Sequence, residues 1–496
     1  MSNIDLSIPT RQSAKGLVLI FIFSLRQFIK MFWPLILVVV FQEKLFKDLF
    51  ILGIAVLVLL FLLVVHTILY YLNFLFYISN GEFVLKKGYF RKKILTVPLD
   101  RIQSVNTKQN LIQQVLDVVT LEIDTAGSVA KELKIQALEK SFAIELQKQL
   151  RPVDLKRTET GSDLPEEKPA GTTEEVILKL TPADLMRIGI SQNHLRAGLI
   201  IIAFGFQIFQ QIQDMFDDKA EEYSSEFIRF ISNSNWALIT FLVIFFLAVS
   251  VVFSLLRTVL KYFDFKLIKN EGTYRIESGL LNKRNVIIPH GKVQELKWET
   301  GPLKKLFGIF HLVFKQAVSD QNRRQQLVDA PGCLSTHLEK LRTDLFGENK
   351  LNDNIKIYSN PYYLRRLWLF YGWVPVLVSL PFLFDEWIYW LAVVAWLAGS
   401  AFYASLKLKK RYFSMNNEQI IVSGGAISHQ LTQMELHKIQ AVEFRQSVFQ
   451  KKRSLSSLSI MNASGSITIP FIDETMAKQI YNYLLYHTEV SNKKWM

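Results

Sequence analysis

With 496 residues the chain is too long for one ordinary domain, and half of those residues are hydrophobic while 21% are charged, a mixture that fits membrane spans diluted by folded domains. A single cysteine, Cys333, excludes an internal disulfide framework and any cysteine metal cluster. The formal net charge of +14 is explained by anionic lipid and positive-inside topology before nucleic acid, because the composition already holds the chain in a bilayer.

The first sixteen residues are mostly polar, and the apolar run after them contains Arg26 and Lys30 without a small-residue cleavage site, so no removed signal peptide is expected. Residues 17–29 are placed at the membrane interface, since each of those charges would cost about 2.5–3.5 kcal/mol at a bilayer centre. Strong spans follow at 49–76, 236–263 and 387–406, with weaker apolar partners upstream at 31–46, 195–212 and 367–384. Six transmembrane helices in three hairpins are predicted. The connecting loops "QDMFDDKAEEYSSEF" and "DEW" are acidic, whereas Arg365, Arg366, Lys407, Lys409, Lys410 and Arg411 gather at the opposite ends, which predicts cytoplasmic termini and cytoplasmic soluble domains.

A soluble segment follows each hairpin, and the three segments superimpose in sequence. Gly88, Gly279 and Gly425 stand ten residues before Pro98, Pro289 and Glu435, and Gln103, Gln294 and Gln440 follow five later. A register held over 36 residues is the mark of a duplicated unit. The signature reads Arg101-Ile102-Gln103, Lys292-Val293-Gln294 and Lys438-Ile439-Gln440. It is read as structural, the aliphatic residue entering the core and the glutamine bonding backbone at a strand bend, because a fold requirement persists in every copy.

Within each unit, alternation such as "GEFVLKKGYFRKKILTVPL" predicts antiparallel strands, and the stripe Leu334, Leu338, Leu341, Leu345, with Met476, Ile480, Leu484 in the last unit, predicts a closing amphipathic helix. The organisation expected is 1–76 N-terminal segment and hairpin 1, 77–151 domain 1, 152–176 a flexible linker rich in Pro, Gly, Thr and Glu, 177–264 hairpin 2 with its acidic extracytoplasmic loop, 265–347 domain 2, 348–410 hairpin 3, and 411–490 domain 3.

The hairpin followed by the turn glycine, the proline, "[RK]-[IV]-Q" and a late hydrophobic strand, three times over, resembles the membrane-associated bacterial pleckstrin-homology family formerly listed as a domain of unknown function, in its long, three-domain YdbT-like form. The resemblance implies three pleckstrin-homology-like β barrels, each closed by a C-terminal helix, in a bacterial cytoplasmic-membrane protein. It also implies a shorter, single-domain relative as a partner. The third repeat departs from the pattern, with Glu435 for the proline and Arg453 where the second repeat has Phe307.

No Walker A loop, H-E-x-x-H, G-x-S-x-G elbow or Cys/His cluster with ligand spacing occurs, so no catalytic constellation, metal or cofactor is expected. The stretch most suggestive of contact is Lys86, Lys87, Arg91, Lys92 and Lys93, either an anionic-lipid surface or a solvated strand face; the other repeats offer Lys283 and Arg284, then only His429. Polar runs at membrane entry, "SQNHLRAG" and "NPYYLRR", are read as snorkelling residues. The function these residues imply is a non-enzymatic membrane scaffold or binding protein that presents three domains to partner proteins or anionic headgroups. The alternative is an accessory to the export of, or resistance to, amphipathic compounds.

Overall fold

A computed structural model describes residues 6–41, 49–125, 133–150, 174–192, 236–317, 327–348, 356–379 and 387–490, with 194, 198, 203 and 207. The chain divides into two compact units, one of Met1–Glu175 with Ile268–Pro289 and one of Val176–Leu267 with His290–Met496. The second repeat therefore supplies strands to both.

In the first unit, β1 (Thr10–Arg11), β2 (Leu75–Ser79), β3 (Glu82–Lys87) and β4 (Lys93–Pro98) form a sheet in that order. Asn80 and Gly81 both take positive φ at the two-residue turn from β2 to β3, which matches the right-handed twist of the strands. A three-residue turn, Leu99–Arg101, then leads into β5 (Ile102–Gln109), β6 (Val118–Thr125) and β7 (Leu133–Glu139). Both half-sheets and the closing helix Lys140–Gln149 share one core, in which Phe76, Phe83, Ile102, Leu121, Ile135 and Leu146 are buried. Full burial of side chains of this size contributes about 1.5–3 kcal/mol each.

The second sheet of this unit does not end at repeat 1. β11 (Lys283–Pro289), which pairs with β10 (Thr273–Ser278), also pairs antiparallel with β5, through Lys283↔Gln109, Arg284↔Lys108 and Asn285↔Thr107.

The second unit repeats the plan. Its half-sheet β12 (Val293–Thr300), β13 (Phe310–Gln316), β14 (Leu327–Cys333) belongs to repeat 2, whose strands β8 (Glu175–Lys179) and β9 (Lys266–Asn270) are neighbours that the division between units cuts through. Repeat 3 adds β15 (Ile357–Tyr358), β16 (Tyr412–Met415), β17 (Gln419–Gly424) and β18 (His429–Glu435), and β18 pairs with β12 from Leu296↔Gln433 to Thr300↔His429. Its last strands, β19 (Ile439–Arg445), β20 (Leu455–Asn462) and β21 (Gly465–Asp473), stand as a three-stranded sheet. Phe413, Ile420, Ile439, Ile460, Ile480 and Leu484 form the core of this repeat under the closing helix Glu474–Val490.

Several sequence expectations change. Residues 17–29 begin one helix, Gly16–Phe41, that continues into the first upstream apolar partner, and its Leu19 is buried against Val118 and Ala137, so its first turn is docked on the domain. The N-terminal segment belongs to domain 1: Leu6 enters its core and Thr10 pairs with Phe76. β8 and β15 likewise begin their repeats ahead of the apolar helices, which moves the boundaries drawn at 177 and 348–410. In the second closing helix, Ser335–Phe346, the buried stripe is Leu338, Leu341 and Phe346; Leu334 caps the helix half-exposed.

Among the described residues, two helices are long and apolar enough to cross a membrane, Ile244–Tyr262 and Trp390–Lys409, and Val56–Leu72 is a shorter apolar helix. Most of the upstream partner at 195–212, the end of that at 31–46, residues 380–384 of the third and most of the 152–176 linker lie outside the described residues.

Candidate functional site at the hairpin tips

The turn between the second and third strands of each repeat is built the same way. Gly88, Gly279 and Gly425 have φ of 94°, 108° and 93°, and a Cβ added to them would lie 2.3, 2.1 and 2.1 Å from the carbonyl oxygens of Arg91, Asn282 and Ser428. No L side chain fits, which is why the sequence marks this point with glycine three times.

Directly after the glycine each tip presents two apolar residues: Tyr89-Phe90, Leu280-Leu281 and Ala426-Ile427. Phe90 is 91% exposed and Ile427 64% exposed. The first tip leans on the helix Leu49–Leu72, where the Tyr89 ring meets His66 edge-on at 5.7 Å. The third is tied to the end of the helix Trp387–Lys409, because the ammonium of Lys410 donates to the carbonyls of Ala426 and Ile427. At the second, the amide of Gln114 donates to the carbonyls of Leu280 and Leu281 at 3.0 Å each.

Gln114 sits on a short helix, Leu111–Val115, that recurs as Pro302–Leu306 and Val448–Lys451. The first and third have the same reciprocal cap, Asn110 with Gln113 and Ser447 with Gln450. All three helices leave apolar side chains in solvent, most fully Val115 at 79%, Leu306 at 77% and Phe449 at 72%. Each repeat thus exposes apolar side chains both at its tip and on its short helix.

The charges are arranged differently in each repeat. Arg91, Lys92 and Lys93 are exposed around Phe90, and among the described residues none of the three has a carboxylate partner; Lys86 instead places its ammonium 5.2 Å from the Tyr77 ring centre, and Lys87 is half-buried. In the second hairpin Lys283 is exposed and Arg284 donates to Ser278 at 3.1 Å. At the third tip a cavity of about 490 Å³ is lined by Lys305, Lys410, Ile427 and His429 among others. Burial first, and then the ammonium groups of Lys410, Lys356 and Lys305, hold His429 below its ordinary value, so its imidazole is neutral at pH 7. The third tip takes its positive charge from Lys410 at the end of the apolar helix and Lys305 of the preceding repeat. Aligning hairpins alone misses both, because neither lies in the hairpin.

The signature also has a recurrent geometry. Leu99–Arg101, His290–Lys292 and Leu436–Lys438 are three-residue turns, and pairing with the following strand shifts register between Ile102/Ser104, Val293/Glu295 and Ile439/Ala441. The glutamine is the bulged residue each time, where the chain leaves one half-sheet for the other. Ile102, Val293 and Ile439 are buried; Gln294 is buried and Gln440 exposed, while the side chain of Gln103 lies outside what is described. Lys438 is buried and donates to the carbonyl of Val293 in the preceding repeat at 2.7 Å, whereas Arg101 is exposed. In the run "NPYYLRR" Asn360 accepts from the Tyr362 amide at 2.9 Å, and the departing Arg453 lies 3.6 Å over the Tyr362 ring.

Cys333 is fully buried, which pushes its thiol up to about 12. Among the described residues no group of three His, Cys, Asp or Glu is placed to hold a metal ion.

A tandem of antiparallel half-sheets, each repeat closed by a C-terminal helix and joined to apolar helices, defines a membrane-associated pleckstrin-homology-like protein. The Bacterial PH domain family matches the chain at residues 22–153, 226–340 and 369–488, and the chain belongs to that family. A similar protein is the UPF0699 transmembrane protein YdbT of Bacillus subtilis (strain 168), 24% identical over 456 residues that cover 88% of this chain and 89% of the relative.

Proposed function

We propose that the chain is a non-enzymatic membrane protein of six spans in three hairpins that holds its PH-like domains against the cytoplasmic face of a bacterial membrane and engages anionic headgroups through the hairpin tips. The observation that carries this reading is the first tip: Phe90, 91% exposed, leans at 4.5 Å on the ring of Tyr89, which itself rests on a residue of an apolar helix, and it stands beside three exposed cations. A ring that enters the acyl boundary with Arg91, Lys92 and Lys93 at headgroup level uses both forces available at a bilayer surface. The named transmembrane relative and the two long apolar helices support the membrane setting.

The test uses the full chain in nanodiscs of zwitterionic lipid doped with an anionic lipid. Each surface cation is worth about 1 kcal/mol, so replacing Arg91, Lys92 and Lys93 with glutamine lowers retention of the anionic lipid, read by native mass spectrometry, by up to about a hundredfold at low salt. Retention that neither falls in the triple variant nor weakens with salt rules the reading out.

A further inference from the structure

The two internal junctions between repeats share one register. In the first, Arg284, five residues past its turn glycine, faces Lys108, twenty past Gly88; in the second, Gln430, five past its glycine, faces Glu299, twenty past Gly279. Each junction joins the last strand of one repeat's first half-sheet to the first strand of the preceding repeat's second half-sheet. Within this sequence repeat 1 is the first of the three and repeat 3 the last. Among the described residues, β4 is accordingly hydrogen-bonded on one side only, by β3, and β19 on one side only, by β20.

The strands record the missing neighbour. Gln294 and Glu295 in β12 are fully covered, yet Gln440 and Ala441 at the same places in β19 are exposed. Ile94 of β4 is 58% exposed, whereas the side chains of β11 and β18 are mostly half-buried or buried. Lys438 reaches the Val293 carbonyl of the repeat before it, while Arg101, its counterpart, is exposed. The two open edges are thus the two halves of the junction that the chain already makes twice.

We propose that β19 of one copy pairs antiparallel with β4 of a second copy of this chain, in the register of the internal junctions. Arg445 then faces Lys93, Phe444 faces Ile94, and Arg101 donates to the carbonyl of Ile439. The like charges at Arg445 and Lys93 follow a precedent: Arg284 faces Lys108 in the first junction, where Lys108 is neutralised by Glu122 at 2.5 Å, and Arg445 is already paired with Glu443 at 2.6 Å. Such a head-to-tail contact is heterologous, so it closes into a ring of copies or propagates as a chain of them.

Full-length chains carrying Arg445→Cys and Lys93→Cys, both at exposed positions, are co-expressed in membranes and oxidised; directly opposed residues in antiparallel strands lie within disulfide reach, and the buried Cys333 stays out of the reaction. The expected product is a disulfide-linked pair of full-length chains, about tenfold more abundant than from Glu443→Cys with Lys93→Cys, which is out of register by two residues, and absent from either variant alone. Arg101→Ala lowers the yield about tenfold and Arg101→Lys restores it, with unchanged melting of the unoxidised proteins. Equal yields from the two registers, no linked pair, or trapping of a smaller protein by Arg445→Cys in place of the Lys93→Cys chain overturns the proposal.

Discussion

β12 and β19 occupy the same place in consecutive repeats, and their surroundings differ. On β12, Glu295 is fully buried, paired with Lys315 at 2.5 Å and accepting from Asn462 of the next repeat at 2.8 Å. On β19 the same position is Ala441, in solvent. Around β12 the next repeat also contributes Gln433, which donates to Gln419 at 2.8 Å and accepts from Arg342 of the repeat 2 helix at 2.9 Å. A buried carboxylate such as Glu295 is stable only because Lys315 and Asn462 both reach it. The comparison teaches that part of what recurs in the repeats serves the seam between them as well as the fold within each.

The largest expected effect comes from removing the charge at the covered position. Glu295→Ala leaves Lys315 and Asn462 without their acceptor and costs about 3 kcal/mol, whereas Ala441→Glu on the open strand changes stability by less than about 0.5 kcal/mol. Thermal unfolding of the solubilised chain, with hydrogen exchange to assign the loss to β12 and β18, separates the two. Similar losses at both sites would mean that β19 is covered.

A second contrast concerns the signature cation. Lys438→Met removes a buried charged hydrogen bond to Val293 and a 2.8 Å pair with Glu435, for an expected cost of about 1.5–3 kcal/mol. Arg101→Met, at an exposed residue, costs almost nothing to a chain studied as a monomer. Differential scanning calorimetry of both variants sharpens the comparison, since equal costs would make the residue a fold determinant and no more.

Much of this was legible in the sequence. The glycine spacing located three identical turns, because a steric clash with a carbonyl three residues on leaves no other choice. Alternation and the closing stripes located the half-sheets and helices, since strand and helix periods are local properties. Which repeat each half-sheet would pair with was not legible. That choice is made between strand edges far apart in sequence, and β4, β11 and β18 look alike until their neighbours are known. The cations of the third tip were hidden for the same reason: Lys305 and Lys410 reach it from a different repeat and a helix end. The apolar short helices were overlooked because five residues carry no periodicity.

The smallest effect expected is a pH dependence that separates the covered seam from the open edge. Burial pushes Glu122 up, but the hydrogen bonds and charges of Lys108 and Lys134 outweigh it and hold the carboxyl below the usual range; Lys108 belongs to β5, the strand that carries the first junction. A depressed folded value means that the ionised form is favoured by folding, so this contribution is complete above the unfolded value of about 4.3 and is lost as pH falls through the folded one. Melting temperature measured from pH 6 to 3 should therefore fall less steeply at the acid end in Glu122→Gln than in the unsubstituted chain. Glu443 on β19 is depressed by the hydrogen bond from Arg445, but it is partly exposed beside an exposed partner and its ion pair is screened by solvent. Glu443→Gln should leave the acid slope unchanged in the monomer, and a flattening there as large as for Glu122 would show that β19 already has a neighbour.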